Sequence, residues 1–368
     1  MPRTPLSLPD FPWDSLAPFM ARAREHPGGI IDLSVGSPVD ATPGVAIGAL
    51  TAAADSPSYP LTAGSQAVRQ AIVGWYGRRR GVTDLTIANV LPTIGSKEFI
   101  ALAPLMLGLG RGDVVVHPTV AYPTYAIGAA LVGAIAVASD EPSEWPDETR
   151  LVWLNSPGNP DGSVLSVDRL RAAVLRAREL GAVIISDECY AELSWASDSP
   201  TASILDPRVI KGDRGSVLAI YSLSKQSNLA GYRAAFVAGC SDLIAELLAV
   251  RKHAGLLPPA PVQAVMAAVL GDDAHVTLQR ERYRARRALL LPALESAGYT
   301  VDHSEAGLYL WVTRGEDAWQ SVARFAELGI LVAPGPFYGD RSPSHVRIAL
   351  TATDERIGAA VERLAALG

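Results

Sequence analysis

The sequence predicts an α/β protein: a mostly parallel sheet between helix layers, joined to a smaller α+β domain. Two observations lead there. From about residue 89 to residue 250, short apolar runs alternate with helix-compatible stretches, as in a parallel sheet whose crossovers are helices. Past Pro258-Pro259-Ala260-Pro261 the alternation gives way to a long helical stretch carrying Leu289, Leu290 and Leu294. Strand-like segments follow around Thr300 and from Leu308 to Val312, and a last helix ends at Leu367. This change of pattern divides the chain into a large domain over 36–254 and a smaller one built from 1–35 with 255–368. A chain of 368 residues that is 49% hydrophobic can bury one large core and a second, smaller one.

The strand candidates are Val114–His117, Ala134–Ser139, Leu151–Leu154, Val183–Ser186, Val217–Ser222 and Ala235–Gly239. The longest apolar stretch, about Ala126 to Ala138, is rich in Ala and Gly. It suits a closely packed helix running into a strand, and it falls short of the ~20 residues a membrane span needs. Leu151–Leu154 runs into Asn155-Ser156-Pro157-Gly158-Asn159-Pro160-Asp161-Gly162, a density of turn residues that demands a defined loop. Ser166 can cap a helix whose apolar face is Leu170, Val174 and Ala177, closed by Gly181. The continuous apolar run Ala182–Ile185 follows, as expected of a strand covered on both faces, and ends in Ser186-Asp187-Glu188-Cys189-Tyr190.

Lysine is rare here: four residues, against twenty-eight arginines. One of the four, Lys225, lies just past the apolar run Val217–Ile220, flanked by Ser222 and Ser224 and followed eight residues later by Arg233. A lysine at a strand exit can form a Schiff base with a carbonyl, and an arginine nearby can clamp a phosphate. Pyridoxal 5'-phosphate carries both groups. Asp187, at the carboxyl end of a strand in a βαβ unit, stands where open α/β sheets bind ligands, and its carboxylate can pair with a protonated pyridine nitrogen. Taken singly, a lysine is usually a solvated charge, an aspartate often only turns the chain, and a Pro/Gly/Asn loop can be only a turn.

Together these segments are more specific. Asn159-Pro160-x-Gly162, Asp187-x-x-Tyr190, and Ser222-x-Ser224-Lys225 with Arg233 resemble the fold type I, class I/II pyridoxal-phosphate-dependent aminotransferases, in a pattern running from Val35-Gly36-Ser37-Pro38 to Val346-Arg347-Ile348. The resemblance implies that Lys225 carries the cofactor and shuttles the proton, that Asp187 meets the pyridine nitrogen, and that Tyr190 and Asn159 hydrogen-bond the ring oxygen. It makes Arg233, Ser222 and the Gly95-Ser96-Lys97 turn phosphate ligands, that turn opening a helix near Glu98. Tyr122 matches the aromatic stacked on the ring, and Tyr59 the tyrosine that reaches the phosphate of a partner subunit, which implies a homodimer with shared sites. Arg347 matches the arginine that grips the substrate α-carboxylate, with Gly36 and Asn159 beside the substrate. Lys97 is the one rival to Lys225 as the cofactor lysine, and it lacks the downstream arginine.

Substrates implied are small molecules, amino acids and 2-oxo acids. The strings Leu8-Pro9-Asp10-Phe11-Pro12-Trp13-Asp14, Ser304–Trp311 and Val332-Ala333-Pro334-Gly335 are similar to actinobacterial N-succinyldiaminopimelate aminotransferases. That likeness implies a role in lysine and diaminopimelate synthesis, with glutamate and 2-oxoglutarate as the exchanging pair. Such a side arm calls for cations beyond Arg347, for which Arg251, Lys252 and Lys97 are candidates. An aspartate, alanine or aromatic aminotransferase, or a carbon–sulfur lyase, would use the same core residues. A DNA-binding regulator on this fold needs an added domain ahead of about Ile31, for which no room is expected.

The net charge of −6 and the lack of a long basic run argue against nucleic acid. Arg280, Arg282, Arg284, Arg286 and Arg287 read as the solvated face of a helix. The two cysteines, Cys189 and Cys240, read as buried free thiols in a reducing cytoplasm. The N-terminus, with its prolines, Asp10 and Asp14, is unlike a signal peptide. Neither a membrane partner nor a metal site is expected.

Overall fold

The computed structural model describes residues 8–195 and 200–367. Along these the strands are β1 (Ile31–Asp32), β2 (Val90–Ile94), β3 (Val114–His117), β4 (Ile135–Ala138), β5 (Thr149–Asn155), β6 (Val183–Asp187), β7 (Val217–Ser222), β8 (Ala234–Gly239), β9 (Thr300–Asp302), β10 (Tyr309–Thr313), β11 (Ile330–Leu331), β12 (Ala333–Pro334) and β13 (His345–Ala349). Seven of them form one sheet in the order β2-β8-β7-β6-β5-β3-β4. All neighbours from β7 to β4 run parallel, while β8 is antiparallel to both β7 and β2. The sequence reading has no strand at Val90–Ile94, a stretch that contains Pro92. β2 lies at the sheet edge, where a residue without an N–H is tolerated.

Alternation sorts each central strand between two cores. Trp153, Ile185 and Ile220 join Phe99, Ile100 and Tyr125 on one face. Val152, Ile184 and Ala219 join Leu170 and Val174 on the other. Burial on both faces explains why these strands read as continuous apolar runs. The Ala/Gly-rich stretch forms helix Thr124–Val132 leading into β4, as expected. Ser166 caps helix Val167–Glu179 by accepting from the Arg169 N–H, and Leu170, Val174 and Ala177 are buried. Register then sets Asn155 beside Asp187, and Asp187 beside Ile220. The carboxyl ends of β5, β6 and β7 thus open onto one place.

The smaller body is the antiparallel sheet β12-β13-β10-β9, packed against helices Ala274–Ser296, Ala318–Glu327 and Asp354–Leu364. The chain near the N-terminus joins it through the parallel pair β1–β11. The expected division at residue 254 falls ahead of helix Ala260–Leu270, yet Val265, Met266, Val269 and Leu270 of that helix belong to the large-sheet core. By packing, we place the changeover within helix Ala274–Ser296.

Two surface expectations need correction. Arg286 of the arginine series is 2% exposed and pairs with Asp40 at 2.6 Å and Asp354 at 2.7 Å. Arg280 is also buried, and Arg287 donates to Ser304 Oγ at 3.0 Å. This helix face is therefore an ion-paired seam, with Arg282 left at the surface. Cys189 is buried and Cys240 half-buried, both free. Among the described residues no helix is long and apolar enough to cross a membrane, and no cluster could hold a metal ion.

Candidate active site

A cavity of about 480 Å³ opens at the carboxyl ends of β5, β6 and β7. It brings together Gly36, Ser96, Lys97, Tyr122, Asn159, Asp187, Tyr190, Ser222, Lys225, Arg233 and Arg347, eleven of the thirteen residues singled out from sequence. Of the other two, Gly95 borders it through Arg233: a Cβ there would collide with the Arg233 guanidinium, and its φ of 77° favours glycine. Tyr59 is fully exposed and lies outside this chain's own cavity.

Lys225 sits on the short helix Leu223–Gln226, which Ser222 caps by accepting from the Ser224 N–H. Its ammonium donates to the Gly36 carbonyl. Burial lowers the Lys225 pKa from its ordinary value, and the like charges of Arg347 and Arg233 add to the effect, while Tyr309 and Cys189 oppose it. Ser222 Oγ also donates to Ser224 Oγ at 2.8 Å. β7 and β8 run antiparallel, so the chain turns back over the eleven residues between them, and Arg233 closes that connection with a φ of 54°. Its guanidinium donates to the Ala230 carbonyl at 2.8 Å.

Asp187 ends β6. Its carboxylate accepts from the Tyr125 hydroxyl at 2.9 Å and the Cys189 N–H at 3.1 Å. Burial raises its pKa, against the pull of those hydrogen bonds. Asn155 at the end of β5 anchors the loop that follows: its amide donates to the carbonyls of Pro157 and Asp187, and its oxygen accepts from the Asn159 N–H at 2.8 Å. Tyr122 packs edge-on against Tyr125, with ring centroids 5.8 Å apart, and burial pushes its hydroxyl up to about 12.

Arg347 enters from β13. It is 3% exposed, donates to Asn159 Oδ1 at 2.8 Å and to the Ser34 carbonyl at 2.6 Å, and its Nε has no partner. Among the described residues no carboxylate pairs with it. Its guanidinium carbon lies 3.9 Å from the centroid of the Tyr309 ring and 4.9 Å from that of Tyr338. Tyr309 shares a 3.2 Å hydrogen bond with the Tyr190 hydroxyl.

The residues present fit a phosphorylated pyridine aldehyde. An amine, a strand-end carboxylate, and a cradle of hydroxyls with one arginine stand around one space, and the glycine of that cradle has no room for a side chain. At the mouth, Phe11 and Trp13 add aromatic surface, and the Lys97 ammonium lies 5.7 Å from the Phe11 ring centroid. Helix Ser96–Met106 begins two residues before the expected start near Glu98. Glu98 instead holds Arg251, fully buried, through bonds of 2.9 and 3.2 Å. Arg251 therefore offers no charge to the cavity, and Lys252 is exposed outside it. Of the three side-arm candidates, only Lys97 lines the space.

Sequence reasoning missed Tyr125, Tyr309, Asn155 and Ser224 as site residues. Tyr125 stands three residues after Tyr122, a spacing that puts both on one side of a helical turn. Tyr309 lies diagonally across from Arg347, since Trp311 pairs with Arg347 and Tyr309 with Ala349.

Residues 29–364 match the aminotransferase class I and II family. The chain is 56% identical to a probable aminotransferase of Mycobacterium tuberculosis, over 97% of this chain and 85% of that one. It is 54% identical to the 4-dedimethylamino-4-oxo-anhydrotetracycline transaminase OxyQ of Streptomyces rimosus, over 97% and 99% respectively. Among solved structures, an N-succinyldiaminopimelate aminotransferase from M. tuberculosis superposes with a TM-score of 0.86 at 26% identity, covering 98% of this chain and all of that one.

Proposed function

The chain belongs to the class I and II aminotransferases, which use pyridoxal phosphate, and we propose that it moves an amino group between N-succinyl-LL-2,6-diaminopimelate and 2-oxoglutarate. The observation that carries an amino-acid substrate is Arg347, a buried guanidinium with an unpartnered Nε and no carboxylate beside it among the described residues. A buried charge without a counter-ion is costly. A planar fork of this kind is complementary to a carboxylate.

When bound, pyridoxal phosphate supplies an electron sink for the pair left at the substrate Cα after proton loss. In this reading Lys225 holds the cofactor and then carries the proton at Cα, a task helped by its lowered pKa, which frees the amine as a base. Asp187 keeps the pyridine nitrogen protonated. Asn159 gives its oxygen to Arg347, so its amide nitrogen is left to donate toward the ring oxygen beside Tyr190. Ser222, Ser224, Arg233 and the amides opening helix Ser96–Met106 receive the phosphate. Tyr122 covers the ring face and keeps out water. Tyr59, free of its own chain's cavity, is assigned to the phosphate of a second copy in a homodimer.

Lys97 at the mouth supports a side arm ending in carboxylate, as does the likeness to the M. tuberculosis N-succinyldiaminopimelate enzyme. A second reading is favoured by the aromatic surface of Phe11 and Trp13: a ketone like that named for the Streptomyces relative. A half-reaction screen separates them. Cofactor-loaded protein is mixed with N-succinyl-LL-diaminopimelate, glutamate, aspartate, alanine, aromatic amino acids and an amino-anhydrotetracycline, while the cofactor absorbance is followed. Fast conversion by the succinylated donor and by glutamate is expected. Conversion by the tetracycline amine with none by the succinylated donor overturns the assignment.

A further inference from the structure

The geometry points to Tyr309 as the residue that sets Arg347 and Tyr190 relative to one another, its ring supporting the first and its hydroxyl engaging the second. This rests on the reading of Arg347 as the substrate-carboxylate arginine and of Tyr190 as a ligand of the cofactor ring oxygen. It adds a positioning residue between them.

Tyr309 opens β10, diagonal to Arg347 on the adjacent β13. The guanidinium carbon stands 3.9 Å from the centre of its ring, and the other side chain flanking the guanidinium, Tyr338, is at 4.9 Å. A flat cation over an aromatic face is held in plane as well as attracted. Among the described residues Arg347 hydrogen-bonds only Asn159 and the Ser34 carbonyl, so the tilt of its fork falls to the rings flanking it, of which Tyr309 is the nearer. At the other end of the same side chain, the hydroxyl meets Tyr190 at 3.2 Å, with the two rings nearly perpendicular at 69°. The space for this placement comes from Gly36, where a Cβ would overlap the Tyr309 hydroxyl.

The two hydroxyls also ionise differently. Burial opposes ionisation of Tyr309, but Arg347, Lys225 and the Tyr190 contact outweigh it and hold Tyr309 below the ordinary tyrosine range. Tyr190 is pushed the other way, by burial first and by Tyr309 next. The two hydroxyls share one hydrogen bond of 3.2 Å. A Tyr190 hydroxyl engaged with Tyr309 is shared between that contact and the cofactor oxygen, so Tyr309 moderates how strongly that oxygen is hydrogen-bonded.

The two functions separate by substitution, in cofactor-loaded dimeric protein. Glutarate, which keeps both carboxylates of glutamate but has no amine, reports the Arg347 fork by calorimetry without turnover. Tyr309→Phe keeps the ring, so glutarate affinity should stay within about twofold of wild type. The same change leaves the Tyr190 hydroxyl to the cofactor oxygen alone, and the pH midpoint of the cofactor absorbance should fall by about half a unit or more. Tyr309→Leu removes the platform, and glutarate binding should weaken about tenfold; Tyr309→Met replaces it if the leucine protein does not fold. Unchanged glutarate affinity in the ring-less variant overturns the platform, and an unmoved midpoint in Tyr309→Phe overturns the hydroxyl function. Arg347→Lys is the control for the underlying reading. If it too binds glutarate normally, the carboxylate assignment itself has failed, whereas a loss there beside an intact Tyr309→Leu sinks only the proposal for Tyr309.

Discussion

The Tyr125 hydroxyl donates to Asp187 Oδ2 at 2.9 Å, and the Tyr125 ring stacks on Trp153 with centroids 5.1 Å apart. The carboxylate at the end of β6 is thereby fixed from the neighbouring helix, with the Cys189 N–H on its other oxygen. Asp187→Ala should cut the chemical step by several orders of magnitude, because an unprotonated ring is a poor electron sink. Tyr125→Phe removes one hydrogen bond to a charged group, a loss of about 10- to 100-fold in kcat. Single-turnover kinetics with saturating amino acid check both. Near-normal turnover in Asp187→Ala would mean that another group holds the ring nitrogen.

Lys225 should be the residue labelled when cofactor-loaded protein is reduced with borohydride and its peptides are mapped. Labelling of Lys97 alone would sink the assignment.

The enclosed amine also makes a stability prediction. Its folded pKa lies below the ordinary 10.5, so between those two values the unfolded chain binds the extra proton, and stability rises with pH across that window. The contribution is present above 10.5 and is lost as pH falls through the folded value. In cofactor-free protein, Lys225→Met should therefore raise the melting temperature near neutral pH, with the gain shrinking toward pH 10.5. A gain independent of pH would show that packing, not charge, is responsible.

Arg347→Lys keeps the charge and loses the fork that meets Asn159 and Ser34. Cofactor binding should survive, while kcat/KM falls for every amino acid and oxo acid by about 2–5 kcal/mol in transition-state stabilisation. Loss of a single substrate would instead place Arg347 on a side-arm contact.

Tyr59 is wholly exposed in the single chain, which makes a complementation test direct. Tyr59→Phe and Lys225→Ala proteins, mixed under conditions of proven subunit exchange, should recover activity, because a mixed dimer contains one site free of both lesions. No recovery would count against sites shared across the dimer.

The parts of the site legible in the sequence are those held by one strand end and the turn after it. Asn159 and Lys225 follow β5 and β7, and Asp187 ends β6, where an apolar run and its polar exit are contiguous in the chain. Arg251 and Arg286 were misread as accessible charges because their partners, Glu98 and Asp40, lie far away in sequence. A buried arginine looks like a surface one until its counter-ion is placed. Tyr309 was hidden for a related reason: on β10 it reads as one more core aromatic, and only pairing with β13 sets it under Arg347. β2 carries Pro92, which a strand tolerates at an edge, and which strand is the edge is a property of the whole sheet.

The pair β1–β11 has a mechanical consequence. Leu33 is bound on one side by Leu331 and on the other by Ala349, each at 2.8 Å, and Thr351 holds the Val35 carbonyl at 3.0 Å. The short tether ending at Gly36 is thus lashed to the small body, while Lys225 belongs to the large one. Their contact bridges the two. The segment that contacts the lysine is thus hydrogen-bonded to the same sheet that carries Arg347 and Tyr309. Any substitution that disturbs the hold of Leu33 or Val35 on that sheet is therefore felt at the Lys225 amine, far away in the sequence.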